Sequence, residues 1–171
     1  LLRNIDLNIL GNQIEVHNIG LGCASGVLTM FVPKFTGSGG ASFKNLHTDE
    51  GEAEQVSVNV AVLDSFLRIE SDLIKIDVEG SEFNVLKGAE KHITASKPTV
   101  VVELLRKWMK PFGHTPQMFL ELMQSQGYTC FGIRTNVITE LTLIDEETTE
   151  TNFIFVHPSR SEHFEFLSQF H

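Results

Sequence analysis

The chain has 171 residues, and its 13 Lys and Arg against 22 Asp and Glu give a formal net charge of −9. Hydrophobic residues make up 42% and charged residues 20%, which excludes a disordered chain, and no apolar run approaches the roughly 18 residues that a membrane span requires. The acidic balance disfavours a nucleic-acid partner, because such binding rests on clustered Lys and Arg.

The length predicts one domain over residues 1–171, since domains commonly have roughly 100–200 residues. The first residue is Leu1 rather than Met, so we expect the chain to begin inside a longer protein, with the N-terminal part of its domain missing. Cys23 and Cys130 provide neither a disulfide framework nor a Cys-x-x-Cys zinc motif. A reducing compartment, the cytoplasm, is therefore the expected location.

The N-terminal half begins with the end of an amphipathic helix within residues 1–10. Strands are predicted over 14–21, 27–32 and 56–62, the last from its strict alternation of Val with smaller or polar residues. A short helix over 63–67 follows, with Asp64 predicted as its N-cap.

Strands and helices then alternate along the C-terminal half. Strands are predicted over 73–78, 99–104, 128–133, 137–144 and 152–157, and helices over 81–93 and from Thr115 to about Gly127. This alternation predicts an α/β fold with a mostly parallel sheet covered on both faces. The last two strands have no helix between them and are predicted to form an antiparallel hairpin.

The strands over 73–78 and 99–104 are predicted to be parallel neighbours at the centre of the sheet. Asp77 and Glu79 follow the first of them, and Glu103 ends the second, so the three carboxylates are expected at one rim, where ligands bind in such sheets. Carboxylates that converge perturb each other's pKa, which suits a general base. An alternative for Glu79 and Glu82 is simple stabilisation of a helix N-terminus.

Two further residues are candidates for substrate binding. Lys75 lies in an apolar strand on the same face as Asp77, where it either keeps a carboxylate ionised and holds substrate or extends its ammonium group to solvent. Trp108 follows the strand that ends in Glu103 and either walls a substrate pocket or packs structurally. The seven His residues show no metal-ligand spacing, so no metal site is predicted.

Residues 73–82, Leu-Ile-Lys-Ile-Asp-Val-Glu-Gly-Ser-Glu, together with Val-Leu-Lys-Gly-Ala at 85–89, resemble the signature of FkbM-type methyltransferases. The resemblance extends over about 1–157 and implies a Rossmann-like class I fold that uses S-adenosylmethionine. It implies O-methylation of a hydroxyl on a small molecule or sugar. It also implies cofactor contacts from Asn18, Gly20 and Leu21 near the adenine, and from Asp77 near the methyl group.

This chain departs from that pattern at its beginning. It has neither the Gly-rich turn after a first strand nor the acidic residue that ends a second strand, and it starts after both. We therefore expect the first strands of the sheet to be missing and the isolated chain to bind S-adenosylmethionine weakly or not at all. The exposed sheet edge is expected to favour pairing between chains.

Two other functions are compatible with the residues. Asp77, Glu79 and Glu103 could hold Mg²⁺ for phosphoryl transfer, since hard cations prefer carboxylate oxygens. A non-catalytic interaction domain is the other alternative, favoured by the missing Gly-rich turn. Residues N-terminal to Leu1 that form a Gly-rich strand–turn–helix would decide between these functions and a methyltransferase.

Overall fold

Eight strands and seven α-helices are present in the computed structural model, which describes residues 2–8, 10–11, 13–34, 37–46, 52–66, 70–134 and 137–168. The strands are β1 (Gly20–Leu21), β2 (Gly26–Pro33), β3 (Ala53–Ala61), β4 (Leu73–Ile76), β5 (Thr99–Glu103), β6 (Thr129–Arg134), β7 (Val137–Leu141) and β8 (Asn152–Val156). The α-helices are α1 (Leu2–Leu7), α2 (Leu63–Phe66), α3 (Glu82–Lys87), α4 (Glu90–Ser96), α5 (Arg106–Met109), α6 (Pro116–Ser125) and α7 (Ser161–Ser168). Two 3₁₀ helices cover Gly37–Gly40 and Lys110–Phe112.

The strands form two mixed sheets. A three-stranded sheet has the order β1-β3-β2, with β1 parallel and β2 antiparallel to β3. A five-stranded sheet has the order β4-β5-β8-β6-β7. Of the strand predicted over 14–21, only Gly20 and Leu21 pair with a neighbour. The protein is therefore an α/β protein, as predicted.

Strands β4 and β5 are parallel neighbours, as predicted, with Leu73 opposite Thr99 and Ile76 opposite Val102. Helices α3 and α4 lie between them in the chain and provide the crossover that parallel strands require. The prediction that both strands are central is wrong for β4, which has β5 as its one neighbour among the described residues. The carboxyl ends of the two strands meet at one edge.

The prediction of a mostly parallel sheet is wrong within the described residues, because β4 with β5 is the one parallel pair of the five-stranded sheet. The predicted hairpin of the last two strands is also wrong. β7 pairs with β6 instead, and β8 lies between β5 and β6, antiparallel to both. The physical reason is burial: Phe153, Phe155 and Val156 of β8 are completely buried, whereas no residue of β7 is, so β7 suits an edge position.

The core lies on both faces of the five-stranded sheet. On one face Phe153 and Phe155 belong to a large buried cluster that includes Phe119 of α6, whose ring centroid lies 5.3 Å from that of Phe155. On the other face Phe131 and Val156 pack with Leu167 of α7, a helix not predicted from the sequence. Alternate residues of β8 therefore serve opposite faces, as strand geometry requires.

The structure tests the two predicted helix caps. Thr115 caps α6 as predicted, by accepting a hydrogen bond from the Met118 amide. Asp64 does not cap the helix over 63–67, whose last predicted residue lies outside the described part. It is the second residue of α2, and its carboxylate accepts hydrogen bonds from the amides of Lys91 and His92 in the first turn of α4.

The helix predicted over 81–93 is broken into α3 and α4 at Gly88. A Cβ atom added to Gly88 would lie 2.1 Å from the carbonyl oxygen of Gly22, in the loop after β1. Any larger residue at position 88 would push this loop away. Gly88 thus allows the backbone of the loop and that of the helix break to touch.

Candidate active site

The site begins at the carboxyl end of β4, where Lys75 and Asp77 form an ion pair. As predicted, they lie on the same side of the strand, and Nζ of Lys75 is 2.6 Å from Oδ2 of Asp77. Both side chains are exposed, at 65% and 41%. The hydrogen bond to Asp77 raises the pKa of Lys75, with a smaller contribution from Glu103. The ion pair therefore favours the ionised form of Lys75.

A left-handed turn follows the ion pair. Glu79 and Gly80 both have positive φ, 52° and 97°. Gly80 is required there, since an added Cβ would lie 2.2 Å from the carbonyl oxygen of Trp108. The buried hydroxyl of Ser42 donates a hydrogen bond of 2.7 Å to the carbonyl oxygen of Glu79. Surrounding contacts thus hold this turn in a sparsely populated conformation, as is common at functional sites.

Glu82 holds the same turn from inside. Its side chain is 3% exposed, and its Oε1 accepts hydrogen bonds from the amides of Gly80 (3.0 Å) and Val78 (3.3 Å). Its Oε2 is buried with no hydrogen-bond partner among the described residues. Burial raises the pKa of Glu82, and the hydrogen bonds from the backbone amides offset part of this effect.

Glu82 is the site residue that sequence reasoning missed, because it was interpreted as an acid at a helix start. A signal was available: Glu82 lies on the same helix face as Val85 and Leu86, three and four residues later, and all three are buried. An acid on an apolar helix face is rarely buried unless its carboxylate has hydrogen-bond or charge partners.

The four acids line one narrow cleft with no room for a water molecule, which we call the acidic cavity. Its lining residues are Asp77, Glu79, Glu82, Glu103, Leu105 and Trp108. The structure therefore brings together the three predicted carboxylates and Trp108, with Lys75 reaching them through Asp77. Carboxylates this close disfavour further negative charge and attract a cation. The catalytic roles of Asp77, Glu79 and Glu103 and the substrate-binding roles of Lys75 and Trp108 stay predictions.

The predicted cofactor residues do not share a cavity with one another. Asn18 is exposed before β1, and Gly20 pairs with Val60 of β3. Leu21 lines a separate pocket of about 380 Å³, which we call the β1–β2 pocket. Its walls are formed by Leu21, Gly22, Cys23, Ala24, Ser25, Gly26, Leu28, Phe43, Lys44, Val60, Ser81, Asn84 and Phe112. Asp77, the remaining predicted contact, lies in the acidic cavity.

The described part of the chain has neither a cluster of metal ligands nor a helix suited to a membrane. Its His, Cys, Asp and Glu side chains form no group of three or more arranged to hold a metal ion. None of its helices combines the length and the apolar character needed to cross a membrane.

Comparison with known proteins identifies the family. Residues 3–130 match the methyltransferase FkbM domain. The crystal structure of methyltransferase FkbM from Methylobacillus flagellatus KT, at 2.20 Å resolution, aligns with 91% of this chain and 32% of its own, with 19% identity and a TM-score of 0.47. The chain thus spans about a third of the length of that structure. No curated protein sequence matches significantly. Since the domain match covers well over half of its residues, the chain belongs to the FkbM methyltransferase family.

Proposed function

We propose that the protein transfers a methyl group from S-adenosylmethionine to a hydroxyl oxygen of a small molecule or sugar. Membership of a methyltransferase family supports the reaction class. The observation that carries the proposal is the cluster of acids at the carboxyl ends of β4 and β5, where the side chain of Asp77 is 41% exposed and therefore accessible to a ligand. In open α/β sheets this is the end at which ligands bind.

The residues of the acidic cavity fit the cofactor by charge. S-Adenosylmethionine, when bound, supplies an electrophilic methyl group on a positively charged sulfur. Asp77, Glu79 and Glu103 place negative charge at this edge of the sheet, and the buried carboxyl group of Glu82 lies beside them. Asp77 would lie near the methyl group and Leu21 near the adenine, as the family resemblance implies, and Glu103 would add negative charge beside Asp77.

Asp77 is the proposed general base. Its hydrogen bond with Lys75 fixes the position of the carboxylate, so that it can orient an acceptor hydroxyl and take the proton that this group loses. Glu82 positions the base, because its hydrogen bonds to Val78 and Gly80 fix the backbone that follows Asp77. The remaining contribution of the protein is orientation of the two reactants, which supplies much of the catalysis in such displacements.

The first experiment tests the charge argument. Calorimetric titration compares S-adenosylmethionine with S-adenosylhomocysteine, its neutral thioether counterpart. We expect the charged ligand to bind more tightly by about fivefold or more, as for a partly exposed ion pair, even where both bind weakly. Asp77→Asn should reduce the ratio of the two affinities, and Glu121→Gln, an exposed acid on α6, should leave it unchanged. Equal affinities in the unmodified protein would contradict the proposed cofactor site.

A further inference from the structure

A pocket beside α5, which we call the α5–α6 pocket, carries an inference that is independent of the proposed function. Its volume is about 520 Å³, in the size range of pockets that hold small molecules. It lies between α5 with the 3₁₀ helix that follows, the first residues of α6, and residues 143–146. Among the described residues none lines both this pocket and the acidic cavity, so a ligand here would occupy a separate site.

Two hydrogen bonds fix the walls of the pocket relative to one another. The guanidinium group of Arg106 donates to the carbonyl oxygen of Asp145, which joins α5 to the loop over 143–146. The side-chain carbonyl oxygen of Gln117 accepts a hydrogen bond of 2.9 Å from the Ile144 amide, which joins α6 to the same loop. The pocket is therefore formed before a ligand arrives, and a preformed site favours binding because less ordering is needed.

Part of the pocket lining is apolar. Pro116 and Ile144 are buried, whereas the side chain of Leu143 is 51% exposed. A ligand that covers Leu143 with an apolar body removes this surface from water, which stabilises the complex. The pocket therefore favours a ligand that is partly apolar.

The basic groups of the pocket favour an anion. Arg106 and Lys110 are four residues apart in the helical segment and lie on the same side of it. Within the described part of the chain, neither forms an ion pair with an acid. The carbonyl oxygen of Asp145 is the one acceptor of the Arg106 guanidinium there, which leaves further N–H donors for a carboxylate.

Three other titratable residues line the pocket, and each has little effect on this preference. The carboxylate of Asp145 is held within its own loop, since its Oδ1 accepts hydrogen bonds from the Glu147 amide and the Thr148 hydroxyl. Glu146 is exposed, so water screens its charge. Burial lowers the pKa of His114, so this side chain is largely neutral at pH 7.

We propose that the α5–α6 pocket binds a small organic carboxylate with an apolar body. The carboxylate pairs with the guanidinium group of Arg106 and the ammonium group of Lys110. The apolar body covers Leu143 and lies along Pro116 and Ile144.

NMR chemical-shift titration of the 171-residue chain tests this proposal with four probes: hexanoate, its neutral amide hexanamide, hexylammonium and acetate. We expect hexanoate to cause saturable shifts at residues 106–117 and 143–146. Its affinity should exceed that of hexanamide by about fivefold, as one partly exposed ion pair provides. Hexylammonium should bind more weakly than hexanamide. Acetate lacks the apolar body and should bind at least about tenfold more weakly than hexanoate.

Three variants locate the charge and the apolar contact. Lys110→Met should reduce the advantage of hexanoate over hexanamide. Lys107→Met is the matched control and should preserve it, because the Lys107 ammonium group lies 3.9 Å from the ring centroid of Trp108 and this exposed lysine is not part of the pocket lining. Leu143→Ala should weaken hexanoate and hexanamide alike, by about threefold, because both probes lose the same apolar contact.

Any of four results would overturn the proposal. The first is no saturable shift at residues 106–117 and 143–146 with hexanoate, and the second is an affinity for hexanamide that equals or exceeds that for hexanoate. The third is an equal loss of the advantage in Lys107→Met and Lys110→Met, which would indicate general surface charge. The fourth is tightest binding of hexylammonium, which would make the acids the determinant. Because the titration uses neither S-adenosylmethionine nor Asp77, its outcome is separate from that of the proposed function.

Discussion

Replacement of Gly80 by Ala tests whether the left-handed turn beside Asp77 depends on a glycine for two separate reasons. The first is conformation: a φ of 97° costs a residue with a Cβ about 1–2 kcal/mol. The second is space, because the new Cβ would lie 2.2 Å from the Trp108 carbonyl oxygen, and backbone must shift to relieve it. Relief of such overpacking costs a further ~1–3 kcal/mol. We expect Gly80→Ala to lower the free energy of unfolding by about 2–5 kcal/mol in total.

Two other glycines separate these contributions. Gly113 also has a positive φ, 75°, but an added Cβ meets nothing within 4 Å, so Gly113→Ala should lose only the conformational part, about 1–2 kcal/mol. Gly26 lies in β2 with open space and no positive φ, and Gly26→Ala should change stability by less than about 1 kcal/mol. Urea unfolding of the three variants gives the order directly. Equal losses for Gly80→Ala and Gly113→Ala would refute the steric argument.

The remaining predictions concern the acids and the sheet edge. In a form of the protein that turns over S-adenosylmethionine, Asp77→Asn should slow methyl transfer by about 10²–10⁴, the usual contribution of a positioned base, with an unchanged melting temperature. Glu121→Gln should have wild-type turnover in the same radiolabel assay. Because burial raises the pKa of Glu82 above its ordinary 4.5, the folded state binds this proton more tightly than the unfolded state. The resulting stability is fully present below pH 4.5 and is lost as the pH rises through the pKa of Glu82 in the folded state. Glu82→Gln should therefore make the free energy of unfolding, measured with urea, less dependent on pH across that interval. An unaltered pH profile would contradict the raised pKa of Glu82. The β4 edge should favour self-association, which sedimentation at increasing concentration measures; a monomer throughout would count against it.

The parts of the fold that sequence could predict are those governed by local pattern and by short connections. The continuous apolar run of β5 and the helical crossover before it are sufficient to place β4 beside it in parallel. That placement alone brings Asp77 and Glu103 to one edge, since carboxyl ends of parallel strands coincide. The shared rim of acids was therefore predictable without any long-range information.

The parts that sequence could not predict depend on competition between distant segments. The position of β8 between β5 and β6 depends on which strand gains most from burial in the centre of the sheet. Chain order alone predicts instead that β8 pairs with β7, the strand that precedes it. The role of Asp64 likewise depends on α4, which approaches its carboxylate only in the folded state. The burial of Glu82 is a different case, because its position on the apolar face of α3 could be predicted from the sequence. It was not predicted, because an acid at the start of a helix also suits the helix dipole.

The contact between Gly22 and Gly88 has a consequence for the dynamics of the protein. It adjoins two other links in the same region: the Asp64 amide donates to the Gly88 carbonyl oxygen, and the Gly22 amide donates to that of Ala61 in β3. The chain after β3 thus cannot leave the helix break without breaking the Asp64–Gly88 backbone hydrogen bond and the two hydrogen bonds that the Asp64 carboxylate accepts from α4. Deuterium exchange at the amides of Lys91 and His92 would therefore report release of Asp64 from the first turn of α4.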